Sequence, residues 1–144
     1  MSRKILVAYD GSSFSKRAID EAKSQLTLVP DTKLHVIAVA ERTGPMTNKV
    51  LADAFTDDQV EHARKLIAEL EEHFAEEGIP VVTKVVRNSQ RENPGKSVCR
   101  YAHDEDMDMI IAGSRGLGNV KGIVLGSVSY KIVQDAECPV LIVK

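Results

Sequence analysis

The sequence lacks the features that mark several large classes of protein. It has no tryptophan and only two cysteines, Cys99 and Cys138, which are not arranged as Cys-x-x-Cys. That short spacing is typical of zinc sites and redox pairs, so neither is predicted, and two reduced thiols in a cytoplasmic protein are expected. No apolar run approaches the roughly 20 residues that cross a membrane, and the first residues do not have a signal-peptide layout. We therefore expect a cytoplasmic location and no membrane partner.

The sequence also lacks an excess of charge of either sign. Its 144 residues include 19 Lys and Arg against 21 Asp and Glu, which gives a formal net charge of −2. A protein that binds nucleic acid through its overall charge needs a clear positive excess, so a nucleic-acid partner is not predicted. The length is that of one domain, residues 1–144, with a core of ordinary size.

Short apolar runs alternate with helical patterns along the chain. Five runs are predicted as strands: Ile5–Tyr9, Leu34–Ala40, Val81–Val86, Met109–Ala112 and Val140–Val143. The alternation indicates the α/β class, with a single-domain, doubly wound, five-stranded parallel sheet and helices on both faces. Ligands bind such sheets where the strand order reverses, and the loops after the first and fourth strands carry ligand-binding residue types. The strand order 3-2-1-4-5 brings those two loops together and is therefore predicted.

The helical patterns differ in clarity. The first places Ala18, Ala22, Leu26 and Val29 on one face. The clearest covers residues 57–77, where the apolar positions repeat at helical spacing: Val60, Ala63, Ile67, Leu70 and Phe74. The segment before it, residues 41–55, is predicted as a long irregular loop, either a lid over a ligand or a connection without a role.

A glycine-rich stretch after the fourth strand is the most informative part of the chain. Residues 113–127 follow the pattern Gly-x2-Gly-x9-Gly-Ser and lead into a predicted helix. Glycine lets backbone N–H groups approach a ligand closely, and Ser127 is expected to cap the helix with its hydroxyl facing an anion. Together these features predict a cradle for phosphate groups. The competing interpretation is a flexible connection with incidental glycines.

Other candidate sites are weaker. Gly95-Lys96-Ser97 lacks the first glycine of a P-loop, because position 90 is Gln, so it is interpreted as part of a helix start at Asn93-Pro94. The four histidines have no metal-ligand spacing, and no metal site is predicted. Asp10 ends the first strand and is predicted either to bind a nucleotide or its divalent ion, or to cap the next helix.

The chain resembles the universal stress proteins over essentially its whole length. The resemblance lies in Ile5–Ser12, in Leu34-His35-Val36, in the glycine pattern and in the closing Cys138–Val143. It implies a Rossmann-like fold of the adenine nucleotide alpha hydrolase type. The glycine pattern marks the branch of the family that binds ATP, so the resemblance implies an ATP-binding regulatory protein of the stress response with Mg²⁺ as the phosphate counter-ion. AMP or another adenine nucleotide remains an alternative ligand.

The family's nucleotide site, carried onto this sequence, implies contacts from three parts of the chain. Ala8, Tyr9 and Asp10 would line the adenine and ribose, and Val39 would contact the adenine face. Ala112 and Gly113 would flank the ribose and α-phosphate. Ser114, Arg115 and Gly116 would begin the phosphate loop, and Gly126, Ser127 and Val128 would hold the distal phosphates. Tyr9 is bulkier than many of its counterparts, and stacking on the base and crowding it both remain open. No catalytic residue is implied.

Three functions follow as alternatives. The first is nucleotide binding with slow or no hydrolysis. The second is an ATP-hydrolysing or adenylate-transferring enzyme in which Arg115 and Lys121 neutralise phosphate charge. The third is a ligand-free dimeric scaffold. The resemblance also implies a homodimer through Val140–Val143, which would otherwise be an exposed apolar sheet edge.

Overall fold

The computed structural model describes residues 2–42, 47–88, 91–116 and 125–144. These residues form five strands and four helices that alternate along the chain. In chain order they are β1 (Arg3–Ala8), α1 (Ser13–Leu28), β2 (Thr32–Ala40), α2 (Lys49–Glu76), β3 (Val82–Arg87), α3 (Pro94–Asp104), β4 (Met109–Gly113), α4 (Ser127–Asp135) and β5 (Val140–Val143).

The five strands form one parallel sheet with the order β3-β2-β1-β4-β5. Ile5 in the central strand β1 is level with Leu34 on one side and Met109 on the other. The predicted order 3-2-1-4-5 is confirmed. Because β1 lies between β2 and β4, the loops that follow β1 and β4 meet at the same edge of the sheet.

The helices cover both faces of the sheet, as predicted. Successive side chains of a strand point to opposite faces, so Ile5 and Val7 pack on the α1–α2 side while Leu6 packs on the α3–α4 side. The first layer is completed by apolar residues of α1 and α2: Ala18, Ile19, Ala22, Ala63, Ile67, Leu70 and Phe74. The second is completed by Val98, Ala102 and Ile132.

Helix α2 is longer than the sequence analysis predicted. It begins at Lys49 instead of near residue 57, so residues 49–55 of the predicted irregular segment 41–55 are helical. The Asn48 side chain caps it by accepting a hydrogen bond from the Leu51 N–H at 3.1 Å. No glycine or proline interrupts the chain from there to Glu77, and buried Ala52 and Thr56 extend the apolar face toward the N-terminus. Residues 43–46 of the predicted segment lie outside the described part.

Two other helix boundaries bear on the predictions. Asn93 caps α3 by accepting a hydrogen bond from the Gly95 N–H at 2.8 Å, with Pro94 in the first turn, which confirms a helix start there. In contrast, α1 ends at Leu28 and Val29 is its C-cap, so including Val29 in the helical face was wrong.

None of the described helices combines the length and the apolar character that a bilayer crossing requires.

Candidate functional site

A cavity of about 870 Å³ lies over the carboxyl ends of β1, β2 and β4. Its volume falls within the range of about 300–1,000 Å³ that small-molecule sites occupy. The lining includes all but one of the residues predicted for a nucleotide site: Ala8, Tyr9, Asp10, Val39, Ala112, Gly113, Arg115, Gly116, Gly126, Ser127 and Val128. The fold thus brings together residues from three strand ends and from the start of α4.

Ser114 is the predicted site residue that does not line the cavity. It is 3% exposed, and its backbone carbonyl accepts hydrogen bonds from the Gly126 N–H at 2.7 Å and from the Ser129 hydroxyl at 2.9 Å. These bonds hold the two ends of the glycine-rich stretch against each other. Ser114 therefore supports the geometry of the site, and Ser129 is a supporting residue that the sequence analysis missed.

The start of α4 forms one end of the cavity. Its N-cap is Gly126, which has no side chain to satisfy the first N–H groups, and Ser127 is the exposed first residue of the helix. The expectation that Ser127 caps the helix was therefore wrong. The first turn carries no acidic residue, so the N-terminal N–H groups and the helix dipole present positive potential to the cavity.

Arg115 adds a positive side chain at the same end. Its Nε atom is buried and has no hydrogen-bond partner among the described residues. Its guanidinium carbon lies 5.8 Å from the centre of the Phe14 ring, which supports one side of the group. Because buried polar atoms are nearly always hydrogen-bonded, the free Nε–H indicates that an acceptor from outside the described residues completes this position.

The three glycines of the pattern differ in what they allow. A Cβ at Gly113 would lie 2.7 Å from the backbone carbonyl carbon of Phe14, so packing against α1 excludes any side chain there. A Cβ at Gly116 would lie 2.7 Å from the Asp10 Oδ2 atom. At Gly126 the nearest atom of a described residue would be the Arg115 Cα at 3.4 Å, which is an ordinary contact, and the φ of Gly126, −69°, suits any residue. The described residues around it therefore do not require glycine at 126.

Asp10 links the first strand to the glycine-rich stretch. One of its oxygens, Oδ1, accepts a hydrogen bond from the Ser12 N–H at 2.9 Å, while Oδ2 lies beside Gly116. Ser12, rather than Asp10, caps α1, since its hydroxyl accepts from the Ser15 N–H at 3.2 Å. The turn between them needs Gly11, whose φ of +81° is in the left-handed region.

Tyr9 and Ala8 face opposite layers. Ala8, Val39 and Val128 pack with the α3–α4 layer, whereas Tyr9 packs with the α1–α2 layer. Burial raises the pKa of the Tyr9 hydroxyl, and the nearby carboxylates Glu69 and Asp10 raise it further, so Tyr9 is a neutral hydrogen-bonding group at neutral pH.

The α1–α2 side of the cavity has a wall that the sequence analysis missed. Four residues of α2 form it, and we call them the α2 wall: Gln59, His62, Ala63 and Leu66. They are spaced i, i+3, i+4 and i+7, which places them on one face of a helix. The sequence carried one signal for this wall. The predicted apolar stripe passes through Ala63, and Gln59, His62 and Leu66 lie beside it on the same side of the helix.

Other candidate residues are not part of this cavity. His35 is buried, and its Nδ1 atom lies 2.8 Å from the Tyr101 hydroxyl, while His103 pairs with Glu137 on the surface. Burial raises the pKa of the Cys99 thiol to about 11, which keeps it protonated and unreactive. The part of the chain that the structure describes holds no group of three or more side chains suited to a metal ion. Lys121 lies outside the described residues.

The whole chain, residues 1–144, matches the family model described as "Universal stress protein family". The chain belongs to the universal stress protein family. Two relatives match over the full length of both proteins: universal stress protein YxiE of Bacillus subtilis, 30% identical, and a universal stress protein of Thermus aquaticus, 33% identical. Universal stress protein UspA from Lactobacillus plantarum has the same fold, with a TM-score of 0.84 at 19% identity over 99% of this chain and 97% of that one.

Some universal stress proteins of known structure hold adenine nucleotides. One from Archaeoglobus fulgidus is in complex with dAMP and one from Arabidopsis thaliana has AMP bound, at TM-scores of 0.60 and 0.65 and identities of 19% and 20%. A third is in complex with cAMP, at a TM-score of 0.69 and 20% identity. At these identities the likeness shows that the fold is shared.

Proposed function

We propose that this universal stress protein binds an adenine nucleotide, with ATP as the primary candidate, in the cavity over β1, β2 and β4. The observation that carries the proposal is the end of the cavity formed by α4 and Arg115. There the N-terminus of α4, which has no side-chain cap among the described residues, meets the buried Nε–H of Arg115, which has no partner among them, and both groups favour an anion. The structures of relatives with AMP, dAMP and cAMP support adenine as the base.

Different residues of the cavity would bind the phosphates, the base and the metal ion. The N–H groups at Gly126 and Ser127 and the guanidinium of Arg115 would hold the phosphates. Gly126 leaves room for the phosphates to approach the backbone, since a side chain there would occupy that space. Val39, at the end of β2, lies on the layer that Ala8 also faces and would form an apolar surface against the base. Mg²⁺, when bound, would neutralise part of the phosphate charge, and the free Oδ2 of Asp10 is suited to help hold it.

We infer that the protein acts as a nucleotide-responsive regulator with slow or no hydrolysis. Hydrolysis requires a side chain that positions or deprotonates the attacking water, in addition to groups that stabilise charge. The described residues at the phosphate end supply N–H groups, hydroxyls and a guanidinium. Asp10 accepts a hydrogen bond from the Ser12 N–H through Oδ1, and its Oδ2 is the oxygen assigned to Mg²⁺ in this proposal.

The experiment that tests this function has two readouts on the same purified protein. Denaturing extraction followed by chromatography identifies any nucleotide that co-purifies, and incubation with ATP and Mg²⁺ measures phosphate release over hours. We expect an adenine nucleotide in the extract, or uptake of added ATP, with release close to that of ATP alone. Rapid phosphate release that is lost on Arg115→Ala would favour the enzyme alternative. If no nucleotide co-purifies and added ATP does not bind, the ligand-free scaffold would be favoured.

A further inference from the structure

The cavity has two ends that the sheet keeps apart. The phosphate end lies at the start of α4, after β4. The opposite end lies over β2, where Val39 and Glu41 line the cavity together with the α2 wall. Because β1 separates β2 from β4 in the sheet, a nucleotide with its phosphates at α4 extends its base toward the α2 wall.

The α2 wall is apolar in one half and polar in the other. Ala63 is 5% exposed, and Leu66 packs over Gly11, with its Cδ2 atom 2.9 Å from the point that a Cβ of residue 11 would occupy. Gln59 and His62 are exposed and line the cavity, and neither side chain has a hydrogen-bond or ion-pair partner among the described residues. Their polar atoms are therefore available to a ligand.

The geometry points to Gln59 and His62 as residues that determine base specificity by hydrogen bonding to the polar edge of a 6-aminopurine. This inference rests on the proposed function. A carboxamide carries a donor and an acceptor side by side, which match a ring nitrogen and the exocyclic amine of adenine. The imidazole of His62 lies one helical turn further along the same face and supplies a second polar contact.

The test compares AMP with IMP, which carries an oxygen in place of the 6-amine, by calorimetric titration. The wild-type protein should bind AMP at least about tenfold more tightly than IMP, because a site built for the amine leaves its own polar atoms unpaired with the oxygen. Gln59→Ala and His62→Ala should each weaken AMP binding about five- to tenfold, the effect of one lost hydrogen bond. Gln59→Ala should also bring AMP and IMP to within about twofold of each other.

The matched control is His73→Ala. His73 is an exposed histidine on the same helix but does not line the cavity, so AMP binding should not change. If the wild-type protein binds AMP and neither Gln59→Ala nor His62→Ala alters the affinity by more than twofold, the inference is wrong while the proposed function stands. If the wild-type protein binds ATP but neither AMP nor IMP, the same comparison is made with ATP and ITP; if it binds none of these nucleotides, both the inference and the proposed function are overturned.

Discussion

Two glycines of the pattern, Gly113 and Gly126, differ in whether the packing of the fold requires them. Gly113 is fixed by its contact with Phe14, whereas Gly126 has space for a side chain and a backbone conformation open to any residue. In the proposed site, a glycine at position 126 would let a ligand approach the backbone at the start of α4 closely.

Gly126→Ala should therefore leave the fold intact and weaken ATP binding by about tenfold or more. The added methyl makes only ordinary contacts with the described residues, and in the proposed site it would compete with the phosphates for the space beside the helix start. Thermal unfolding and titration calorimetry measure the two effects separately. Gly113→Ala is the contrasting variant, and it should lower the unfolding temperature, since its methyl would overlap the backbone of Phe14. Unchanged ATP affinity in Gly126→Ala would show that the phosphates lie elsewhere.

A second prediction at this scale concerns pH. Burial lowers the pKa of His35, with smaller contributions from Lys4 and Lys33, against an opposing one from Glu105. The unfolded chain therefore takes up this proton first, and stability is lost as the pH falls below the ordinary histidine value of about 6.5. His35→Gln should remove this part of the acid sensitivity in denaturant titrations between pH 7 and 5.5.

His103 provides a control, because its pKa shifts in the opposite direction to that of His35. Its hydrogen bond to Glu137 raises its pKa, so this contribution is present at low pH and is lost as the pH rises through the folded-state value. His103→Gln should make the protein slightly more acid-sensitive than the wild type. Identical pH profiles for all three proteins would contradict the assignment.

At the scale of elements, β5 is the exposed edge of the sheet next to the site. The carbonyls of Pro139 and Val143 accept hydrogen bonds from β4, at the Ile110 and Ser114 N–H groups. Because backbone groups alternate along a strand, those of Val140 and Ile142 face away from β4. We propose that these free groups pair with β5 of a second copy to form a homodimer.

Ile142→Pro should convert this dimer to a monomer. Proline removes the outward N–H of residue 142 and leaves the hydrogen bonds from β4 to β5 in place. Ile142→Ala is the matched control, since it shortens the same side chain but keeps the N–H, and it should remain dimeric. Sedimentation at micromolar concentration measures both. A wild-type protein that sediments as a monomer would refute the proposed interface.

The elements also show what the sequence could and could not predict. All five strands and the stripe from Val60 to Phe74 were predicted, because continuous apolar runs and helical spacing are local signals. The start of α2 was missed because the apolar spacing is interrupted before Val60: Thr56, although polar, is fully buried, with its hydroxyl donating to the Ala52 carbonyl. The α2 wall was missed for a related reason. The stripe through Ala63 shows which residues share the buried side of α2, but which of them lie over the cavity depends on how α2 crosses the sheet.

At the scale of the whole molecule, the site depends on the meeting of both helical layers over the edge of one sheet. The proposed phosphate end is formed by β4 and α4 and the proposed base end by β2 and α2, while Asp10 lines the cavity just after the central strand β1. A ligand in this cavity would contact elements that are far apart in the sequence. A nucleotide would therefore stabilise the whole fold, as any ligand that binds only the native state does.

Calorimetric titration of the nucleotide-free wild-type protein with ATP and Mg²⁺ tests the central claim most directly. We predict binding at one site per chain with a dissociation constant in the micromolar range. Absence of binding by ATP, AMP and adenosine alike would contradict the account, and the uncapped start of α4 and the free Nε–H of Arg115 would then need another acceptor.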